Sequence, residues 1–354
     1  MNTIQLCVIT DEGYTVPTTV MLSSVLLNKH TDTSYIVYCL CNNVSVFAKR
    51  KLQELNREDF IIKIIDCDAN KYASLKMPPN VTASTMIKCD LTELLPDVDK
   101  VLMLDGDILV TKDLADLWNT NLSDNLLAAV GDLVGQLDMH YCELLNVEFY
   151  FNAGVMLLNL AQMRKEHTGQ KIIETKMKAP ATWEWGEQDP FNKVCDGRLV
   201  KLPPRWNLTV LICYYRKHDV HDINKYYGTT YSNQLEMEDD AAIIHFNAWK
   251  PWKNRIMPFA AMWQKYHSLS PYRHTNTEHD GNYPRIAKPP TRITIKLLGC
   301  IPLLNIVESE LRDEAKLFGL IKLYKIKKRK GIRKFLLFGF IPLYTSCENK
   351  FVNV

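Results

Sequence analysis

An α/β fold, a mainly parallel sheet flanked by helices, is predicted by two features of the chain. Through the first hundred residues, apolar strand-like runs alternate with helical patterns, the βαβα order of a parallel sheet covered on both faces. That alternation leads into VLMLDGDILV at 101–110, an apolar run that delivers two acids, Asp105 and Asp107. Composition agrees: 354 residues can bury a large core, and 47% hydrophobic with 23% charged residues are globular values. One large domain with an appendage is the expected layout.

Taken in order, IQLCVIT (4–10) reads as the first strand, and a helical pattern follows from about Val16 to Leu27. YIVYCLC (35–41) is a second strand, residues 45–55 a helix, and IIKIIDC (61–67) a third strand. A helix from about Ala83 to Leu95 precedes the next strand, whose Val101, Leu102, Met103 and Leu104 are apolar on both faces, as burial in a parallel sheet requires. LLAAVGDL (126–133) and FNAGVMLLNL (151–160) follow, then a helix over roughly 161–177, a short helix beginning near Gln188, and a strand AAIIHF (241–246) that closes the body. Residues 270–291 are polar and Pro/Gly-bearing, the composition of a linker. The resulting partition is a domain over 1–270, a linker over 271–291 and an appendage over 292–354.

The formal net charge of +3 hides a division. Of the 43 Lys and Arg, 28 lie in residues 1–280, with 35 of the 40 Asp and Glu; the remaining 74 residues carry 15 basic and 5 acidic side chains. A basic tail on an acidic body points to an anionic partner. Within the tail, LLGCIPLL, LFGLIKLY and LFGFIPLY begin at Leu297, Leu317 and Leu337, a constant spacing of twenty residues, each flanked by Lys or Arg. A fixed period is also the mark of a solenoid, but three units this short bury little. Apolar octads between basic clusters suit the headgroup interface of an anionic membrane, while each is too short to span one. The alternative is that the octads pack as ordinary core. Nucleic acid is disfavoured, because aliphatics rather than stacking aromatics separate the basic residues.

No run approaches the roughly 18–20 apolar residues of a membrane-spanning helix. The sequence MNTIQLCVITDEGY carries no basic leader and reads as a strand, so secretion is not expected. Ten cysteines without a CxxC pair read as reduced thiols in a cytoplasmic protein. Four Asn-x-Ser/Thr triplets, at Asn43, Asn80, Asn121 and Asn207, then count as chance matches.

Chemistry concentrates at four places. Asp105 and Asp107 emerge at a strand's carboxyl end, where open α/β sheets bind ligands. Gly106 lets the backbone turn so that both acids face one point. Buried negative charge needs a positive partner, and a divalent cation held for a diphosphate suits it. In IIHFNAWKPW (243–252), His245 is a candidate third ligand and Lys250 a candidate phosphate partner, although a histidine leaving a strand is more often structural. In FNAGVMLLNL, Asn152 and Gly154 allow an amide contact and close backbone approach to a polar ligand, or mark a turn before a core strand. In WEWGEQDPFN (183–192), Glu187, Gln188 and Asp189 either act at a reacting centre or cap a helix, while Trp183 and Trp185 offer a flat apolar surface for a sugar ring.

Together these residues resemble the bacterial glycosyltransferases of family 8, the group of lipooligosaccharide galactosyltransferases and lipopolysaccharide glucosyltransferases and, more distantly, glycogenin. The resemblance covers roughly residues 1–270 and four ordered motifs. It implies a GT-A nucleotide-binding fold and retaining transfer of a hexose from a UDP-sugar to a saccharide or lipid-linked acceptor. It assigns Asp105, Asp107 and His245 to a metal, with Mn²⁺ suiting the mixed ligands better than Mg²⁺. Asp11 and Tyr14 fall at the uracil end of the donor site. Lys88 falls where the family carries an arginine. Gly106, Asp132, Asn152 and Ala153 join the donor contacts, Lys250 the diphosphate, and Glu187, Gln188 and Asp189 the catalytic segment. The basic tail implies a cytoplasmic enzyme attached to the inner face of the cell membrane.

Two positions depart from the family pattern. Lys88 is a cation but not a planar, bidentate one. Ala248 replaces a glycine and the spacing from His245 to Lys250 is one residue short, which bears on the phosphate contact. Two other function classes compete with transfer. LDGDILV imitates the nucleophile strand of a phosphatase, but three strands come first and Leu109 stands where those enzymes need threonine or valine. A non-catalytic scaffold would have no use for an intact Asp105, Asp107 and His245.

Overall fold

In the computed structural model of the chain, residues 2–274 are described except 79–80, 139, 181–182, 184 and 216–217, followed by the backbone of seven strands between 291 and 352. The chain divides into two compact units, Met1–His279 and Asp280–Val354. Most of the segment read as a linker, 275–290, lies outside the described residues.

The first unit contains β1 (Asn2–Asp11), β2 (Thr33–Asn42), β3 (Phe60–Cys67), β4 (Lys100–Leu104), β5 (Ile108–Val110), β6 (Leu127–Gly131), β7 (Phe151–Asn159), β8 (Leu199–Leu202), β9 (Leu208–Thr209) and β10 (Ile243–His245). Seven of them form one sheet in the order β3-β2-β1-β4-β7-β6-β8. β1 pairs parallel with β2 and β4, β2 with β3, and β6 with β8, whereas β7 is antiparallel to both neighbours. Only β7 runs against the rest, so the sheet is mainly parallel, as the alternation of elements predicts. This reversal lays the start of β7 beside the carboxyl end of β4, with Leu104 opposite Val155. A second sheet, β5-β10-β9, continues from β4 through the three residues that hold the two acids. In it β10 is antiparallel to β5 and parallel to β9.

Alternation along the central strands feeds two cores. Ile4, Leu6 and Val8 with Leu102 and Leu104 join the cluster that also includes Met21, Leu22 and Val25 of the helix Thr15–Asn28. Cys7, Val101 and Met103 join a second with Met86, Ile87 and Leu91. Burial on both faces is why these strands read as continuous apolar runs. The helix Thr15–Asn28 is buried nearly all round, at ten of the eleven positions from Thr15 to Val25, and two of its hydroxyls are satisfied within it: Thr19 Oγ1 donates to the Thr15 carbonyl and Ser23 Oγ to the Thr19 carbonyl, both at 2.7 Å. The expected single helix over 161–177 is two, Leu160–Lys165 and Thr168–Lys178, because His167 adopts φ +53° between them. The residues expected as a helix from Ala83 to Leu95 begin as a 3₁₀ turn, Ala83–Asp90, before an α turn, Leu91–Leu94. The eight cysteines of the first unit are free thiols.

The second unit is a meander of seven antiparallel strands in sequence order: β11 (Thr291–Leu297), β12 (Ile301–Glu308), β13 (Arg312–Leu317), β14 (Ile321–Arg329), β15 (Ile332–Leu337), β16 (Ile341–Cys347) and β17 (Lys350–Val352). The twenty-residue period is one hairpin. Leu297 pairs with Ile301, Leu317 with Ile321 and Leu337 with Ile341, each one step from a register irregularity at the same place in its repeat. Each octad therefore straddles the end of one strand and the start of the next; its central residues, 298–300, 318–320 and 338–340, lie outside the described residues. Among the described residues, no helix is long and apolar enough to cross a membrane.

Candidate active site

Asp105, Gly106 and Asp107 form the joint between the two sheets. The Asp105 amide donates to the Gly154 carbonyl of β7, and the Phe246 amide after β10 donates to the Asp107 carbonyl, both at 2.9 Å. The reason for Gly106 differs from the sequence expectation. Its backbone is not among the left-handed glycines; instead, a Cβ there would lie 2.5 Å from Thr18 Oγ1 of the helix Thr15–Asn28. Close packing against that helix, rather than a special turn, excludes a side chain.

His245, at the end of β10, completes a cluster in which one ligand atom each from Asp105, Asp107 and His245 lies within 4.8 Å of the others. Its Nε2 is 3.3 Å from Asp107 Oδ1 and its Nδ1 is 3.0 Å from Asn207 Oδ1. The ring lies so close to Gly154 that any Cβ at that position would collide with it.

Two lysines flank the cluster. Lys88 is 2% exposed and donates to Asp105 Oδ1 at 2.8 Å, Glu187 Oε1 at 2.7 Å and the Ala153 carbonyl at 3.1 Å. An ammonium has three N–H donors, and here three acceptors converge on it. A lysine fits this point as a strut between carboxylates, which a planar guanidinium would not do in the same way. Burial works to lower its pKa, and Asp105 and Glu187 outweigh it, so the net direction is up. Lys250 donates to Asp107 Oδ2 at 2.5 Å and to the Phe246 carbonyl at 2.7 Å. Burial would raise the Asp107 carboxyl, but the Lys250 ammonium beside it holds it well below the usual range.

Around this centre stands a ring of amides and hydroxyls. Gln188 Oε1 accepts from the Ala153 amide at 3.0 Å and from Asn152 Nδ2 at 3.2 Å, while Gln188 Nε2 donates to Tyr150 Oη at 3.0 Å. Tyr150 donates to Asp189 Oδ1 at 2.6 Å, and Asp189 Oδ2 accepts from the Trp185 amide at 3.0 Å. Asp189 is fully buried. Asp132 caps the helix Leu133–Leu137, accepting from the Gly135 amide at 2.9 Å; burial raises its carboxyl against hydrogen bonds that include Gln188 and Asn152. Asp11 caps the turn Glu12–Tyr14. Tyr14 lies edge-on to Trp252 at 5.8 Å, and its phenol is pushed up to about 12 by burial and Asp107, against the opposing pull of Lys250. Trp185 is partly exposed and donates from Nε1 to Tyr141 Oη at 2.5 Å; Trp183 packs beside Tyr141 and Tyr150.

The structure thus joins Asp105, Gly106, Asp107, His245, Lys250 and Tyr14 on one side with Lys88, Ala153, Asn152, Glu187, Gln188 and Asp132 on the other. Asp189 is held by Tyr150, which also meets Gln188, and by the Trp185 amide. Sequence reasoning passed over Asn207, which is 1% exposed and contacts both Asn152 and His245, and Tyr150, which is fully buried. Asn207 drew notice only as part of an Asn-x-Thr triplet; the usable signal was a polar residue heading the apolar run LTVLI.

Comparison with known proteins gives the same picture. The family described as "Glycosyl transferase family 8" matches residues 5–255. General stress protein A of Bacillus subtilis is 23% identical over 240 residues, covering 66% of this chain and 82% of that protein. The lipopolysaccharide 1,2-glucosyltransferase of Escherichia coli is 24% identical over 273 residues, covering 75% of each. Glycosyltransferase GlyA of Streptococcus pneumoniae is 25% identical over 261 residues, and the chain spans only 34% of its length. Among solved structures, the galactosyltransferase LgtC in complex with donor and acceptor sugar analogues superposes with a TM-score of 0.64 at 23% identity, over 75% of this chain and 96% of that one. That likeness shows a GT-A fold. With the family match running across nearly all of the first unit, the chain belongs to glycosyl transferase family 8 and is a hexosyltransferase.

Proposed function

We propose that this enzyme moves a hexose from a UDP-sugar to a saccharide acceptor, retaining the anomeric configuration and depending on a divalent cation. The observation that carries the reading is the convergence of Asp105, Asp107 and His245 at the joint of the two sheets. Two carboxylates and an imidazole within one ion's reach fit a divalent metal, and the nitrogen donor favours Mn²⁺ over Mg²⁺. When bound, such an ion neutralises the diphosphate of the departing UDP.

The chain's own residues supply the rest. Tyr14 and Asp11 hold the base end of the donor. Lys250, one short step from Asp107, is placed to move onto a phosphate when a cation takes its position. Asn152, Asp132 and Gln188 present amide and carboxylate groups to sugar hydroxyls. Trp185 and its neighbours offer an aromatic face to the acceptor ring. We favour attack from the side on which UDP leaves, with the acceptor proton passing to the leaving phosphate. A covalent intermediate needs a carboxylate free to reach the anomeric carbon, whereas Glu187 is clamped by Lys88 and Asp189 by Tyr150 and the Trp185 amide.

The acceptor is proposed to be a lipopolysaccharide-type or other cell-surface glycan, as the name of the Escherichia coli relative supports. The basic second unit is proposed to hold the enzyme on the cytoplasmic face of the membrane. UDP with Mn²⁺ should raise the melting temperature of the wild type by several degrees, as saturating ligand does. Asp107→Asn should abolish both that shift and transfer while the protein stays folded; a variant with wild-type turnover removes the metal assignment. A scaffold or a phosphatase would show no selective shift.

A further inference from the structure

We infer that Asn207 is a positioning residue that fixes the tautomer of His245, so that the ring presents a lone pair from Nε2 to the two aspartates. The inference rests on the metal reading for its purpose, but its geometric basis is independent of any ion.

The direction of each amide in the chain of contacts is set by a backbone N–H, which can only donate. The Gly154 amide donates to Asn152 Oδ1 at 3.0 Å, so the oxygen of Asn152 faces inward. Asn207 Nδ2 lies 2.9 Å from that same oxygen and must be the donor. The opposite end of the Asn207 amide is therefore its oxygen, and that oxygen is 3.0 Å from His245 Nδ1. An amide oxygen only accepts, so Nδ1 carries the proton. Nε2 of the neutral ring is left with a lone pair 3.3 Å from Asp107 Oδ1. Two acceptors facing each other across a buried gap repel unless a cation or a proton lies between them.

A second backbone donor fixes the other side of Asn152. The Ala153 amide donates to Gln188 Oε1, which in turn accepts from Asn152 Nδ2. Asn152 therefore cannot flip without breaking both links. Gly154 completes the lock, because the imidazole rests where a side chain would stand. Asn207 is itself immobile: it is 1% exposed, and it heads β9, whose Thr209 pairs with His245 on β10. Metal-binding imidazoles commonly owe their tautomer and orientation to a partner on the other ring nitrogen, and loss of that partner costs 10–100-fold in metal affinity.

The test uses full-length protein labelled with ¹⁵N-histidine, the His245 signals being assigned by their loss in His245→Ala. In the metal-free wild type at about pH 8.5, above the ordinary histidine range, Nδ1 should carry the proton. In Asn207→Leu the neutral ring should shift toward the Nε2–H form, and Mn²⁺ affinity in the presence of UDP should fall by about 10–100-fold. Asn207→Asp keeps an acceptor at the same point and should keep the Nδ1–H form. An Nε2-protonated His245 in the wild type overturns the inference without any variant having to fold. So does an Asn207→Leu protein with the wild-type tautomer and Mn²⁺ affinity. An Nδ1-protonated wild type that binds no Mn²⁺ with UDP instead sinks the metal reading and leaves the tautomer lock standing.

Discussion

Lys88 shows what a single buried charge does here. Its ammonium joins Asp105 to Glu187, so one side chain ties the Asp105, Asp107 and His245 cluster to the segment Glu187–Asp189. Burial would raise the Glu187 carboxyl, but Lys88 holds it below its ordinary value. The stabilisation that follows from a depressed carboxyl is complete above the unfolded value of about 4.3 and is lost as pH falls through the lower folded value. Glu187→Gln should therefore flatten the acid limb of a melting temperature against pH profile. The same variant should lower kcat far more than UDP affinity if the segment acts in the transition state. Unchanged kcat with weaker UDP binding would make Glu187 a donor contact only. Asp105, Asp107, His245 and Lys250 were legible in the sequence because polar, ionisable side chains at the ends of apolar runs stand out by type and spacing. Asn207 and Tyr150 were not, since a buried amide or phenol gains its role from the atoms it meets.

At the scale of elements, the helix Thr15–Asn28 governs how close the acid loop can lie to the core. Gly106 meets Thr18 Oγ1 and Tyr14 at that contact. Gly106→Ala forces the Thr18 hydroxyl aside or displaces the loop, with a typical overpacking cost of about 1–3 kcal/mol. The expected result is a modest drop in melting temperature, with a larger loss of Mn²⁺-dependent UDP affinity, measured by titration calorimetry. Gly106→Ala with normal affinity would show that the loop tolerates the displacement. The helix itself was foreseen at Val16 to Leu27 and spans Thr15–Asn28, because its apolar pattern is local. The break at His167 was not foreseen. The helical pattern runs through it, and the interruption lies where Gly169 packs so tightly on the Cys89 carbonyl that no Cβ fits.

At the scale of the whole molecule, an acidic unit and a basic unit are joined in one chain. Deleting 292–354 should leave UDP-sugar hydrolysis nearly intact while reducing transfer to a lipid-linked acceptor, since each basic residue near an anionic surface contributes about 1 kcal/mol. Sedimentation with anionic and neutral vesicles at low and high salt checks it. Equal binding by the truncated protein would make the second unit a packing or oligomerisation element. The sequence by itself determined the α/β class, the strand leading into Asp105, the charge division and the twenty-residue period, because each is written in local pattern or composition. The tertiary structure alone decided that β7 runs against its neighbours and that β5 and β10 leave the main sheet for a second one. Those two choices carry Gly154 and His245, dozens of residues from the acids, to within hydrogen-bonding reach of them, with Asn152 behind them through Asn207. Strand direction and sheet membership depend on which distant backbone groups find one another, and no local run of residues encodes that.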